Sequence, residues 1–286
     1  YKIYSMKIAF LTAGGIAPCL SASIGHLIKN YSEEDSALKM IGYLNGFKGL
    51  LTGNSISISQ DVIDGVEILY QFGGSPIGNS RVKLSNVDDC IKNCYINPGD
   101  NPLEVAAGQL IRDKVDILHT IGGDDTNTTA GALVAYLADN GHNLTVVGLP
   151  KTVDNDVFPI QQTLGAWTAA EQGAVFFENI ANENTTSSRQ LIIHEVMGRN
   201  CGWLTAATAR EYRRRLHNRK FLPSLLIEKE RWDIDAVYIP EVKIDIKSES
   251  YRLKKRMDKK DSINIFLSEG AGIDSIIQEM EENNEE

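Results

Sequence analysis

The feature that most constrains this chain is a unit it uses twice: a short apolar run, a glycine pair, then a longer amphipathic stretch. Residues 7–13, Gly14-Gly15 and residues 18–31 form one copy, with Pro18 in the helix-opening place. Residues 115–121, Gly122-Gly123-Asp124-Asp125 and residues 126–140, closed by Gly141, form the other. Such alternation predicts strands joined by crossover helices, and hence an α/β fold with a mostly parallel sheet. Further strands are predicted at residues 144–149, 190–196, 236–239 and 262–267, and further helices at 200–215 and 274–282. In an open parallel sheet, ligands sit outside the carboxyl ends of the strands, where the strand order reverses. Every chemically suggestive segment here follows a predicted strand, so one cleft is expected to gather them. A change of domain is expected close to residues 162–167.

Composition narrows the function. A chain of 286 residues corresponds to about two domains, and 42% hydrophobic with 23% charged residues is ordinary globular usage. The net charge is −9, and five acids fall in the last nine residues. That balance argues against a general nucleic-acid or anionic-membrane binder, and the basic stretches at 210–220 and 252–260 read as solvated helix faces. The chain has no apolar run of about 18 residues and no signal-peptide core, so a cytoplasmic protein with no membrane partner is expected. Cys19, Cys90, Cys94 and Cys201 are expected to be reduced thiols. Neither the Cys90 and Cys94 pair nor the five scattered histidines completes a metal site.

Three segments carry chemistry. Gly14-Gly15 either forms a tight turn or lets backbone N–H groups approach an anion at a helix N-terminus. It fits neither G-x-G-x-x-G nor the G-x-x-x-x-G-K-[ST] phosphate loop, so a standard dinucleotide fold or P-loop NTPase is not supported. Asp124 and Asp125 either cap the following helix or stand beside a phosphate, where Asp124 would hold Mg²⁺ together with phosphate oxygens. Adjacent side chains point apart, so only one is assigned the metal. Pro150-Lys151-Thr152-Val153-Asp154-Asn155-Asp156 is either an Asx-rich turn with a surface lysine or a phosphoryl-transfer set. In the second reading it supplies a cation for the transferring group and a carboxylate for the acceptor's proton.

Taken in order, Leu11-Thr12-Ala13-Gly14-Gly15, Gly73-Gly74-Ser75-Pro76-Ile77-Gly78-Asn79-Ser80-Arg81, Gly122-Gly123-Asp124-Asp125-Thr126-Asn127, the Pro150 to Asp156 segment, Met197-Gly198-Arg199-Asn200-Cys201-Gly202 and Ser268-Glu269-Gly270 resemble the phosphofructokinase family, and most closely its pyrophosphate-dependent branch. The resemblance covers nearly the whole chain. It implies two Rossmann-like three-layer domains with mostly parallel sheets and an active site in the cleft between them. Residues 1–163 would bind the donor and Mg²⁺, and residues 164–286 fructose 6-phosphate. The implied reaction is reversible phosphoryl transfer from pyrophosphate to the 1-hydroxyl of fructose 6-phosphate, giving fructose 1,6-bisphosphate and phosphate, by a homo-oligomer, dimer or tetramer.

Residue by residue, the resemblance puts Gly15 and Arg81 on the donor and Asp124 on Mg²⁺. Thr152 and Asp154 fall in the sugar-phosphate site, Asp154 as the base and Asp156 as a supporting acid. Met197, Gly198 and Arg199 contact the sugar, Arg199 also steadying transition-state charge. Glu269 binds fructose hydroxyls, and Arg189 reaches a neighbouring subunit's sugar phosphate. In ATP-using members glycines stand where this chain has Asp125 and Lys151. Asp125 would add bulk and like charge against a nucleotide's α-phosphate, and Lys151 would supply charge stabilisation to the shorter donor. Ile16 and Cys19-Leu20-Ser21 also depart from the ATP-dependent pattern. Family members continue past the Glu269 segment with residues that grip the 6-phosphate, a return segment absent from these 286 residues. The alternatives are an ATP-dependent 6-phosphofructokinase and a truncated, non-catalytic sugar-phosphate-binding paralogue. A lipid or NAD kinase shares the Gly-Gly-Asp turn but has no place for the 150–156 and 197–202 segments.

Overall fold

The computed structural model describes residues 6–283. It divides into two compact units, one made of residues up to Thr152 with Val157–Gly165, the other of Val153–Asp156 with the chain from Ala166 onward. The chain therefore changes unit three times between Thr152 and Ala166.

The first unit is built on six strands: β1 (Lys7–Thr12), β2 (Lys39–Tyr43), β3 (Ser55–Ser57), β4 (Ile117–Gly122), β5 (Thr145–Thr152) and β6 (Leu164–Gly165). Their order is β3-β2-β1-β4-β5-β6, all pairs parallel except β2 with β3. Residues 8–12 of β1 are fully buried, as a central parallel strand covered on both faces requires. Alternation then splits that strand between two cores. Ala9 and Leu11 pack with Tyr43, Leu110, Leu118 and Leu133. Ile8 and Phe10 pack with Leu20, Ile24 and Ile28 of the helix Leu20–Glu34. Helix, sheet and helix make three layers.

The second unit has three parallel strands in the order β7-β9-β8, namely β7 (Gln190–Val196), β8 (Ala236–Tyr238) and β9 (Ser262–Ser268). Phe266 of β9 packs with Phe177 and Tyr212 from the helices Ala166–Ala181 and Trp203–His217. Ile263 and Ile265 point the other way, against Leu253 and Met257 of the helix Ile246–Lys260. Layering repeats on a smaller scale. Among the described residues no helix is long and apolar enough to cross a membrane.

Several boundaries differ from the sequence expectation. β5 runs three residues beyond the predicted end because Lys151 and Thr152 pair with Leu164 and Gly165 of β6, a two-residue strand too short to leave a periodic signal. The helix Asp124–Asp139 begins two residues early, with Gly123 as its N-cap. The helix Leu20–Glu34 begins after Pro18, with Cys19 as its N-cap. Strand β2 and the helices Pro102–Asp113 and Ala166–Ala181 were not anticipated, and the helix Ile246–Lys260 begins six residues before the basic stretch that was read as a helix face.

The basic stretches lie on helices, as expected, and they are tied down. Arg215 meets Glu178 at 2.8 Å, and Arg213 meets Asp233 at 3.1 Å. Asp235 has a fully buried carboxylate, 2.6 Å from Arg256 and 2.8 Å from Lys260. It also accepts from the Asn264 backbone N–H at 2.9 Å. Removing one partner of a buried charge set strands the others. Asp235→Ala is therefore expected to cost about 3–5 kcal/mol. Asp258→Ala, which opens the half-exposed pair with Arg189, should cost under about 1 kcal/mol. Urea denaturation of the two variants checks the contrast.

Candidate active site

In the first unit β2 lies on one side of β1 and β4 on the other, so the strand order reverses beside β1. The carboxyl ends of β1 and β4 deliver Gly14-Gly15 and Gly123-Asp124-Asp125 to that place. A cavity of about 300 Å³ opens there, lined by Gly14, Gly15, Arg81, Lys83, Asp125 and Thr126 among others.

The glycine turn is held from outside. The Gly14 N–H donates to Ser80 O at 2.9 Å, and Asn79 Nδ2 donates to Gly14 O at 2.7 Å. Thr12 Oγ1 donates to Gly78 O at 2.6 Å. The 73–81 loop is thereby strapped to β1, which brings Arg81 to the cavity. Gly14 has φ +86°, in the region that disfavours side chains. Asn79 is a residue that sequence reasoning passed over; its position between the 73–80 glycines and Arg81 was the available signal.

Lys151, at the end of β5, is 3% exposed. Its ammonium donates to the Gly15 carbonyl. Burial holds its pKa below the ordinary lysine value, with Arg81 adding to that effect and Cys19 opposing it. This is a largely desolvated cation beside the glycine turn, not the surface lysine of an Asx turn.

Asp124 and Asp125 occupy the first turn of their helix, where negative charge suits the dipole, and neither is the N-cap residue. They face apart. Asp125 lines the glycine cavity with Gly15 and Arg81, whereas Asp124 lines a separate groove with Asn127, Gly148 and Pro150. Asn127 Nδ2 donates to the carbonyls of Gly122 and Gly123 at 3.2 and 3.1 Å, which fixes the turn between β4 and the helix. Among the described residues no three His, Cys, Asp or Glu side chains are grouped to hold a metal. A cation bound at exposed Asp124 would therefore need oxygens from a phosphate, and that donor set fits Mg²⁺.

The second unit assembles a different set at the carboxyl ends of β7 and β9. The Glu269 N–H donates to Val196 O at 2.9 Å, and the Gly270 N–H to Gly198 O at 3.3 Å. Ser268 Oγ donates to Gly198 O at 2.6 Å. A Cβ on Gly270 would overlap the Arg199 carbonyl, so only glycine lets the two segments close. Arg199 Nη2 lies 3.4 Å from Glu269 Oε1, and Met197 is 64% exposed. The Val153–Asp156 segment packs with this unit, and Cys201 Sγ donates to the Asp154 carbonyl at 3.4 Å. The pKa of Asp154 is raised, first by burial and then by the charges of Asp156 and Glu269. Cys201 and Glu241, which accepts from the Gly202 N–H at 2.8 Å, were not anticipated as neighbours of this set.

Two expected residues sit elsewhere or differently. Arg189 precedes β7, at the end of the strand opposite Met197. It has φ +54° and pairs with Asp258 at 2.7 Å. Thr152 is bound into β5, where its carbonyl accepts from Thr163 Oγ1 at 2.7 Å.

The profile described as Phosphofructokinase matches residues 7–286. A pyrophosphate–fructose 6-phosphate 1-phosphotransferase of Methylotuvimicrobium alcaliphilum is 55% identical over 280 residues, covering 98% of this chain and 68% of the relative. The enzyme of the same name from Propionibacterium freudenreichii is 54% identical, covering 98% and 69%. The crystal structure titled pyrophosphate-dependent phosphofructokinase from Marinobacter aquaeolei superposes with a TM-score of 0.72 at 21% identity, over 97% of this chain and 65% of that one. The chain thus spans about two thirds of the length of these proteins. With the profile matched from β1 onward and relatives more than half identical along 98% of its length, the chain belongs to the phosphofructokinase family.

Proposed function

We propose that this chain transfers a phosphoryl group from inorganic pyrophosphate to the 1-hydroxyl of fructose 6-phosphate, forming fructose 1,6-bisphosphate and phosphate. The observation that carries the choice of donor is the buried Lys151 ammonium at the Gly15 carbonyl, with Asp125 facing the small cavity that Gly15 lines. The names of the relatives at 54–55% identity agree with this donor.

In this reading the first unit handles pyrophosphate. The turn at Gly15 and the cation of Arg81 bind it, and Lys151, already stripped of most of its water, neutralises the charge that spreads over the transferring phosphoryl group. Asp125 occupies space, and carries charge, that a nucleotide's α-phosphate would need. Asp124, which opens on the neighbouring groove and not on the glycine cavity, stays the Mg²⁺ ligand by resemblance, and the ion when bound would neutralise phosphate oxygens.

The second unit handles the sugar. Asp154 accepts the proton of the 1-hydroxyl; its raised pKa makes it a better base than an ordinary aspartate. Burial, with the charges of Asp156 and Glu269 added to it, keeps it so, Glu269 also receiving fructose hydroxyls beside Arg199, Met197 and Gly198. Thr152 stays in the sugar-phosphate set by resemblance, as do a homo-oligomer and the reach of Arg189 to a second subunit.

The reading is tested by following fructose 1,6-bisphosphate formation from fructose 6-phosphate with pyrophosphate and with ATP in parallel. Product with pyrophosphate and little with ATP is expected; the reverse would make this an ATP-dependent enzyme. Product with neither would favour a sugar-phosphate-binding protein without turnover.

Asp154→Asn should lower kcat by about 10²- to 10⁴-fold, because an amide cannot take the proton, while pyrophosphate affinity stays. Turnover above half of wild type would remove Asp154 from the role. The pH profile gives a separate check. Because Asp154 must be ionised and its pKa is raised, kcat/KM should climb with pH along a limb that lies above the ordinary aspartate range. Glu269→Gln removes one of the raising charges. It should move that limb to lower pH, whatever it does to the plateau, and a limb that stays put would mean another group titrates.

A further inference from the structure

The donor cavity has a neighbour. A second cavity of about 390 Å³ is lined by Leu84, Val87, Leu103 and Ala132, and Lys83, Asp125 and Thr129 line both cavities. At this boundary Lys83 Nζ stands 2.6 Å from Asp125 Oδ2. Thr129 Oγ1 donates 2.7 Å to the Asp125 carbonyl, which ties that residue's backbone to the next turn of the helix. The two charged side chains are 53% and 73% exposed, and so open a pair contributes little to folding. Folding therefore does not account for its position.

We propose that Lys83 is a positioning residue that sets donor length. It holds the Asp125 carboxylate across the boundary between the cavities and cancels its charge toward a short anionic donor. It also bars a longer polyphosphate from the second cavity. This assignment rests on the pyrophosphate reading above. Without Lys83, the Asp125 carboxylate faces the donor cavity uncompensated and repels the donor's oxygens. Arg81, which lines only the donor cavity of the two, meets the donor itself; Lys83 works through Asp125, so its effect must depend on Asp125 being there.

The test is a double-mutant cycle with Lys83→Met and Asp125→Asn. The Kd of magnesium pyrophosphate, and that of magnesium tripolyphosphate as a longer inorganic probe, are measured by calorimetry alongside KM and kcat. Lys83→Met should weaken pyrophosphate binding at least tenfold in the wild-type background, mainly in Kd and KM. It should weaken it less than threefold in the Asp125→Asn background. The double variant should shift the ratio of the two Kd values toward tripolyphosphate at least tenfold. Lys83→Arg should restore pyrophosphate affinity, and unfolding midpoints should stay close to wild type. Equal losses in both backgrounds would show that Lys83 touches the donor directly. Losses under threefold throughout, a fixed ratio in the double variant, or a large fall in melting temperature would each overturn the assignment. Wild-type protein that neither binds nor uses pyrophosphate would instead sink the underlying functional reading, and the role of Lys83 with it.

Discussion

A lysine ammonium buried against a glycine turn is the interaction on which the candidate site of the first unit depends. Removing Lys151 from water is costly, and the fold offsets that cost with the Gly15 carbonyl. Reaching it requires β5 to run on past Pro150, which the pairing of Lys151 and Thr152 with β6 provides. It also requires the Gly14-Gly15 turn to stay in place, which Ser80 and Asn79 of the 73–80 loop ensure, with Thr12 of β1 holding that loop at Gly78. The same straps deliver Arg81. The cation, the turn and the second positive charge are thus one construction, preorganised before any anion arrives.

The second unit reaches its arrangement by close packing of backbone instead. Gly198 and Gly270 let the loops after β7 and β9 join by hydrogen bonds at the sheet's carboxyl edge, which sets Arg199 beside Glu269. Burial first, and then the charges of Asp156 and Glu269, raise the pKa of Asp154. The two units hold different groups, a desolvated cation in one and a carboxyl of raised pKa in the other. Lys151 and Asp154, the residues that supply them, are three positions apart in the sequence.

Much of this was legible from the residues alone, and the reasons it was differ by element. β7 was predicted to the residue because an apolar run bounded by polar residues leaves little freedom. β1 and β4 were found for the same reason. β6 was not, since two residues are too short to show a period against their neighbours, and neither was β2. The helix Ile246–Lys260 is mostly charged, with no fully buried residue, so only its basic part, 252–260, was read as a helix face. The opposed directions of Asp124 and Asp125 followed from adjacency on a helix. The ion pair of Asp125 with Lys83 did not, because it joins positions 42 apart in the sequence, and only the fold brings them together. The depth of Lys151 was hidden likewise, for it depends on a two-residue strand.

The central claim is that Lys151 and Asp125 together make this a pyrophosphate site. The most direct measurement is the ratio of kcat/KM for pyrophosphate to that for ATP in the wild type, Asp125→Gly, Lys151→Gly and the double variant. The account predicts that Asp125→Gly admits some ATP use while impairing pyrophosphate use. The double variant should move the ratio further toward ATP by more than the two single changes combined, since Lys151 holds the Gly15 carbonyl and Asp125 faces the cavity that Gly15 lines. A ratio constant within about threefold across all four proteins would contradict the account and place the choice of donor elsewhere in the chain.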